Sequence, residues 1–554
     1  MKLRKSLALL LVLVMAVGLL SACGGSKDAA ADGGKAEAKT EAKADAKADA
    51  KADGAAAEPG MPSKTIVIST SENAIRMDPH RDNNNGGHVI KQCVFETLFW
   101  CERGKSFDPL LATDWTWSDD YLTLDVNLRQ GVKFHNGNDF NADDVIYNFD
   151  RILDPDNPYM STYLTTFDTL ESYEKTGDYS VRFTFNDTNS ETMYNLAVLM
   201  LLDKESHEEM GDAYFENGNL YGTGPWKFVE WNDGQFARLT KNEDWWDIEN
   251  RNSYYDEMII RHILEPTTAV AAHLAGDINV NMAVGGIGKD LLPMYEEASD
   301  RIVLTTIPEA SYYYLQYGFT AENSPFKDEN FRKAFEYCID REAIVETVYG
   351  GGIVPSTVIL PLCLGGEDVQ EPRPYDPELA KEYLAKSSYD GYDIELMGNT
   401  STYRGEETLL AVEDYCRQIG INAHVKMEEY ASFNERRNTK NYDLFLIINM
   451  ARNCEQINTL RFRILYDQQG SSFKDDHMND LITQAMREMD KPKRDDIYRE
   501  ISKYMYEIAA PQFALVQCES TYAWDKGITG IKLFDDGENR YQYVTYDPEL
   551  AKSL

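Results

Sequence analysis

The chain has 554 residues and a formal net charge of −38, with 93 acidic against 55 basic side chains. So acidic a protein repels nucleic acid and anionic membrane surfaces, which excludes a nucleic-acid partner, and its length exceeds what one hydrophobic core fills, so two or more lobes are expected. The eight cysteines include no CxxC pair, which argues against a zinc site or a disulfide framework.

Lys2, Arg4 and Lys5 precede an uncharged apolar run from Leu7 to Leu20. That run suits the h-region of a signal peptide and is short for a spanning helix. Leu20-Ser21-Ala22-Cys23 then has the form of a lipobox, where bacterial lipoproteins are cut. Residues 1–22 therefore read as a lipoprotein signal peptide, with Cys23 as the thiol that takes a diacylglycerol. The competing readings are an ordinary secretory signal with an incidental cysteine and a retained helical anchor. Residues 23–60 are an Ala/Lys/Asp tract with almost no aromatic or β-branched side chains. Such a tract cannot bury a core and reads as a disordered tether with a reach of roughly 30–40 Å. The first 60 residues are nearly neutral, so the acidity belongs to the body.

Alternating patterns predict strands over 64–70 (KTIVIST), 122–128 and 179–185. A helix is expected over 141–153, capped by Asn141 with acids in its first turn. A single helix is expected over 331–351, closed by Gly350, and another over 375–387. The strands 393–398, 421–427 and 442–448 alternate with helical segments in a βαβ rhythm. The cysteines beyond Cys23 are seven, so at least one thiol is free unless chains pair.

At residues 109–155 the chain resembles the family 5 solute-binding proteins of ABC importers, the oligopeptide, dipeptide and nickel group. The matching core is Leu128-Arg129, Gly131 to Gly137 ("GVKFHNG"), Ala142, Asp144, Val145 and Arg151. Further matches follow in family order: Met77-Asp78-Pro79-His80, "YGTGPWKFVEW" (221–231), "LTKNEDWW" (239–246), "SPFKDENFRKAFEYCIDREAIV" (324–345) and 494–515. The resemblance implies an α/β, two-lobed fold of the type II periplasmic-binding-protein kind, with mixed sheets and a hinge. Lobe I would span 61–310, lobe II 311–520, and 521–554 would return to lobe I.

The same resemblance implies a non-enzymatic, substrate-binding lipoprotein that captures a peptide or peptide-like solute between its lobes. It would pass that solute to a membrane permease driven by an ATPase. The chain would act as a monomer, lipid-anchored at the extracytoplasmic face of the bacterial membrane, with no cofactor and no metal. The alternatives are the same transport role for an anionic or sugar-acid ligand and, more remotely, an extracellular hydrolase. No GxSxG, HExxH or P-loop occurs, and "HEEMG" (207–211) lacks a second histidine at the required spacing. An EF-hand register on "DNNNGG" would put Arg81 and Gln92 at ligand positions, which rules it out. His135 lies within the family signature as a structural residue.

Peptide-binding members place an Asp after a "YD…W-x-x" stretch to receive the peptide ammonium. Here that stretch starts at Tyr442-Asp443, so the tryptophan position falls on Asn449 and the Asp position on Arg452, with Met450 and Ala451 between. A register shifted by two or three residues would bring Glu455 into the ammonium role instead, and Arg452 facing solvent is a third possibility. Arg437 coincides with an arginine upstream of "YD" in some oligopeptide binders. The loop after "DPH" corresponds to Asn83, Asn84 and Asn85, and a family tyrosine to Tyr159. Arg452 in the cleft would suit a carboxylate, phosphate or sugar acid; Glu455 would suit a peptide ammonium.

Overall fold

The computed structural model describes residues 61–81, 85–101, 106–156, 166–216, 218–355, 371–450, 457–465, 471–509, 511–534 and 539–553. Cys23 and the tether lie outside them. In chain order, β1 (Thr65–Thr70) precedes a ribbon of β2 (Phe99–Cys101) and β3 (Phe107–Pro109). An antiparallel sheet follows, built from β4 (Ala112–Trp117), β5 (Thr123–Leu128), β6 (Leu170–Gly177) and β7 (Ser180–Phe185) in spatial order β4-β5-β7-β6. Next come β8 (Trp226–Asn232), β9 (Phe236–Lys241), β10 (Glu257–His262), β11 (Val280–Asn281) and the 16-residue β12 (Ile302–Tyr317). The later part adds β13 (Ile394–Asn399), β14 (Ala423–Glu428), β15 (Leu444–Met450) and the 14-residue β16 (Gln512–Asp525), and β17 (Ile528–Thr529) pairs with β18 (Thr545–Tyr546). A ten-stranded mixed sheet runs β14-β13-β15-β12-β16-β11-β1-β10-β9-β8.

The alternation in β7 sends Val181, Phe183 and Phe185 inward, as period-two patterning requires. β13 lies parallel to both β14 and β15, with helices Gly405–Ile419 and Tyr430–Asn438 as the crossovers, so the βαβ rhythm of the later half is real. The helix Ala142–Ile152 starts at a capping box: the Asn141 side chain accepts from Asp143 N–H (2.8 Å), and the Asp144 carboxylate accepts from Asn141 N–H (2.9 Å). Its Val145, Phe149 and Ile152 are fully buried.

The single helix expected over 331–351 is two, Glu329–Tyr337 and Arg341–Thr347. Asp340 divides them, since its carboxylate accepts from Ala343 N–H at 2.9 Å and so starts a new helix. Gly350 then leaves the second helix with a φ of 69°.

Four of the hydrophobic cores divide along the chain. One surrounds the four-stranded sheet (Phe99, Leu124, Phe149, Phe183), and a second lies under β1 and β10 with Trp226 and the late residues Tyr541 and Val544. Two others use residues of the 310–516 range: Phe433, Phe445, Met478 and Ile482 in one, Phe326, Phe335, Leu396 and Leu409 in the other. Between these sets run β12 and β16. Ile302–Pro308 lie opposite Glu519–Asp525, Tyr312–Gln316 lie opposite Gln512–Gln517, and the register slips between Pro308 and Tyr312. From Ser311 onward β12 also pairs with β15, so its second half is buried on both faces.

Candidate functional site

Asn83, Asn84, Tyr159, Ala451, Arg452 and Glu455 lie outside the described residues. The backbone brackets their positions. Asn85 opens the helix Asn85–Val94 just after 82–84. Met450 closes β15 opposite Ser311, and Asn449 sits opposite Tyr312. β15 therefore ends beside the register slip of the two long strands.

The approach to Asn83–Asn85 is held by a buried ion pair. Arg151 donates to both oxygens of Asp78, at 3.2 and 2.5 Å, and to Nδ1 of His80 at 2.6 Å. His80 Nε2 donates to the Met200 carbonyl at 2.8 Å, so the ring is the neutral Nε2–H tautomer. Burial and then the Arg151 charge push His80 down to about 4. Burial would raise Asp78, but the Arg151 charge and hydrogen bonds outweigh it and hold the carboxyl below its ordinary range. The Gly86 position fits only a glycine, since a Cβ there would stand 2.3 Å from the Glu72 carbonyl oxygen. The helix N-terminus is thus pressed onto the loop that follows β1.

Against the long strands lies a cluster of cations and tyrosines. Arg437, at the end of helix Tyr430–Asn438, is half-buried, and its buried Nε has no hydrogen-bond acceptor. Among the described residues it has no carboxylate partner. Burial, and then the neighbouring Arg463 guanidinium, lower its pKa from the ordinary arginine value. Tyr314, fully buried, faces both arginines, and Tyr442 faces Arg437. Asn449 is buried, donates to Thr459 Oγ1 at 3.1 Å, and accepts from Arg463 Nε at 3.4 Å. Its amide orients Arg463. Gln512 of β16 donates to Gln316 of β12 at 2.6 Å and to the Arg463 carbonyl at 3.3 Å, which ties the cluster to both long strands. With the Arg463 guanidinium beside it and no carboxylate partner among the described residues, Arg437 can receive an anionic group.

Sequence reading singled out Arg437 and Asn449 and missed Arg463 and Tyr314. "LRFRIL" carries no spacing that marks a site, and the tyrosines of "SYYYLQY" read equally well as core.

Among the described residues burial raises the pKa of three carboxyls, and all three serve the structure; one is Glu336, which accepts from Arg373 Nε at 2.7 Å. Burial pushes Glu96 up to about 7, yet it is 5% exposed and accepts from the indoles of Trp245 (3.2 Å) and Trp246 (2.9 Å). Burial likewise pushes Asp144 up to about 7, and that side chain is the helix cap described above. His135 accepts from Gly222 N–H at 3.3 Å, with its Nε2 on the Gly224 carbonyl at 2.9 Å. That fastens "HNG" to "GTGPW", so His135 is structural. Among the described residues, no group of three His, Cys, Asp or Glu side chains is arranged to hold a metal. Cys93, Cys338, Cys416 and Cys518 are free thiols. A small recess at the ends of β1 and β11 is lined by Thr70, Pro266 and Asn281 among others.

The family described as "Bacterial extracellular solute-binding proteins, family 5 Middle" matches residues 106–461. The glutathione-binding protein GsiB of Salmonella typhi is 27% identical over 379 residues, which cover 67% of this chain and 70% of that protein. The solved structure of HbpA2 from Haemophilus parasuis superposes with a TM-score of 0.78 at 22% identity, covering 87% of this chain and 100% of that one. The periplasmic binding protein DppA of Helicobacter pylori, in complex with the peptide STSA, superposes at 0.69 with 23% identity, covering 87% and 98%.

Proposed function

The chain belongs to the bacterial extracellular solute-binding proteins, family 5, and from that premise we propose that it captures a short peptide or peptide-like solute bearing a carboxylate and hands it to an ABC permease. The body would close as two lobes, 61–310 with 521–554 against 311–520. The slip between Pro308 and Tyr312 would act as the hinge, since bending there need not break either strand core. Ligand contacts made by both lobes favour the closed state over the open one. The protein would be a receptor without catalysis, a monomer held to the extracytoplasmic face of the membrane through Cys23.

The observation that carries the ligand reading is Arg437, a half-buried guanidinium with a second arginine beside it and, among the described residues, no acid to neutralise it. A ligand carboxylate would supply the missing charge. Asn83 to Asn85 and Tyr159 would contact the ligand from the opposite lobe, Met450 and Ala451 would offer backbone, and Asn449 would orient Arg463. The remaining choice lies at 452–455: Glu455 holding a peptide ammonium, or Arg452 adding a cation for a more anionic ligand such as a sugar acid.

Mass spectrometry of the natively purified protein, followed by calorimetry with the recovered solute, tests the reading. An unmodified peptide lost with Glu455→Gln but not with Arg452→Asp assigns the ammonium to Glu455. A di- or poly-anion lost with Arg452→Asp assigns the anionic alternative. Turnover of the solute at enzyme-like rates would overturn the receptor reading altogether.

A further inference from the structure

Two separately built regions of the body touch through polar groups. The first is the segment at residues 168 and 187–191, whose apolar neighbours Phe167, Leu170, Phe185 and Met193 belong to the core around the four-stranded sheet. The second is Arg461 with the helix Asp476–Arg487, whose Leu481, Ile482 and Ala485 belong to a core of the later half. Ser190 N–H donates to the Met486 carbonyl at 2.9 Å, and the Thr188 hydroxyl donates to the Arg487 carbonyl at 2.9 Å. These are last-turn carbonyls, which have no acceptor role inside their own helix. Arg487 pairs with Asp187, and Arg461 pairs with Asp168 at 3.3 Å and Glu191 at 3.7 Å. Arg487 and Asp187 are 56% and 38% exposed at their side chains, whereas Arg461 and Glu191 are 14% and 6% exposed. The contact is therefore wet at its rim and dry inside.

We propose that this contact is a charge latch that holds the cleft closed, and that it makes closure sensitive to ionic strength. The inference rests on the two-lobed receptor reading. The cores on either side are complete without the contact, so it can part without unfolding either one. Its carbonyls and charges are then taken up by water. Exposed ion pairs are individually weak and screened by salt, which suits a reversible closure. The buried Arg461–Glu191 pair adds a cost to partial opening, because neither charge is well solvated until the faces separate.

The test uses the exported protein as wild type, Asp187→Arg, Arg487→Asp and the double swap, in low salt and in about 1 M NaCl. Small-angle scattering reads the radius of gyration, and hydrogen exchange reads the Ser190 amide. Each single reversal should expand the particle and speed Ser190 exchange about tenfold. The swap should restore both readouts at low salt, which also excludes misfolding as the cause, and high salt should make the wild type behave like the single variants. Equal radii and equal Ser190 exchange across wild type, single variants and high salt would overturn the latch. Thermal shift with a mixture of tri- to pentapeptides separates the two readings. Stabilisation without a latch response refutes the latch alone, and a latch response without stabilisation supports the latch while counting against peptide as the ligand.

Discussion

Replacing Arg437 by Met should move ligand affinity and ligand-free stability in opposite directions. In the free protein Arg437 is half-buried, repelled by Arg463, and has a buried Nε without an acceptor. A buried donor left unmade costs about 1–3 kcal/mol. Met keeps the reach of the side chain, removes that cost, and packs against Tyr314 and Tyr442. We therefore expect the ligand-free variant to gain about 1 kcal/mol, which for a body of this size is a rise of about 1 °C in Tm. With ligand present the balance reverses. A charge-assisted hydrogen bond to a carboxylate contributes about 1.5–3 kcal/mol, so affinity should fall by about 10- to 150-fold. Calorimetry with the natively recovered solute gives the affinity, and scanning calorimetry without it gives the stability. A variant that binds as tightly as wild type and melts lower would refute the reasoning, since Arg437 would then be a structural cation with a partner of its own.

Cys23→Ala should abolish incorporation of a labelled fatty acid and release the protein from membranes; retained label and membrane association would remove Cys23 as the anchor. His80 titrates at about 4 in the folded protein against 6.5 unfolded, so the unfolded chain takes up the proton first. That contribution to stability is present above 6.5 and is lost as pH falls towards 4. His80→Gln lacks it, so the stability of the variant relative to wild type should improve by up to about 3 kcal/mol across that window, measured by denaturant titration at several pH values. Gly222→Ala would bring a Cβ to 1.9 Å from the Val94 carbonyl oxygen, and the backbone shift this forces should cost about 3 kcal/mol, read as a lowered denaturation midpoint.

Local chemistry in the sequence determined much of this protein. The capping box at Asn141 and Asp144 fixed a helix start, because those two side chains satisfy amides within three residues of themselves. Alternation fixed β7, because its inward faces meet one core. His135 reads as a structural residue of the family signature, and its ring does fasten "HNG" to "GTGPW". The lipobox and tether readings of residues 20–60 rest on composition alone, and both segments lie outside the described residues.

Other features were decided only by tertiary structure. The 16 residues of β12 contain Pro308 and a run of three tyrosines, and their burial alternates in the first half and is complete in the second. No single period describes such a segment, because its second edge acquires β15 as a partner only from Ser311 onward. The break at Asp340 looked like one position within a helix until Asp340 turned its carboxylate to Ala343. Arg437 and Arg463 stand 26 positions apart, on separate helical segments, and neither position reveals that the other is near. Asp187 and Arg487 are 300 residues apart, and each alone reads as a solvated charge. Pairings of this kind arise when independently stable cores are set side by side, and the information that brings them together is spread over every apolar contact in those cores.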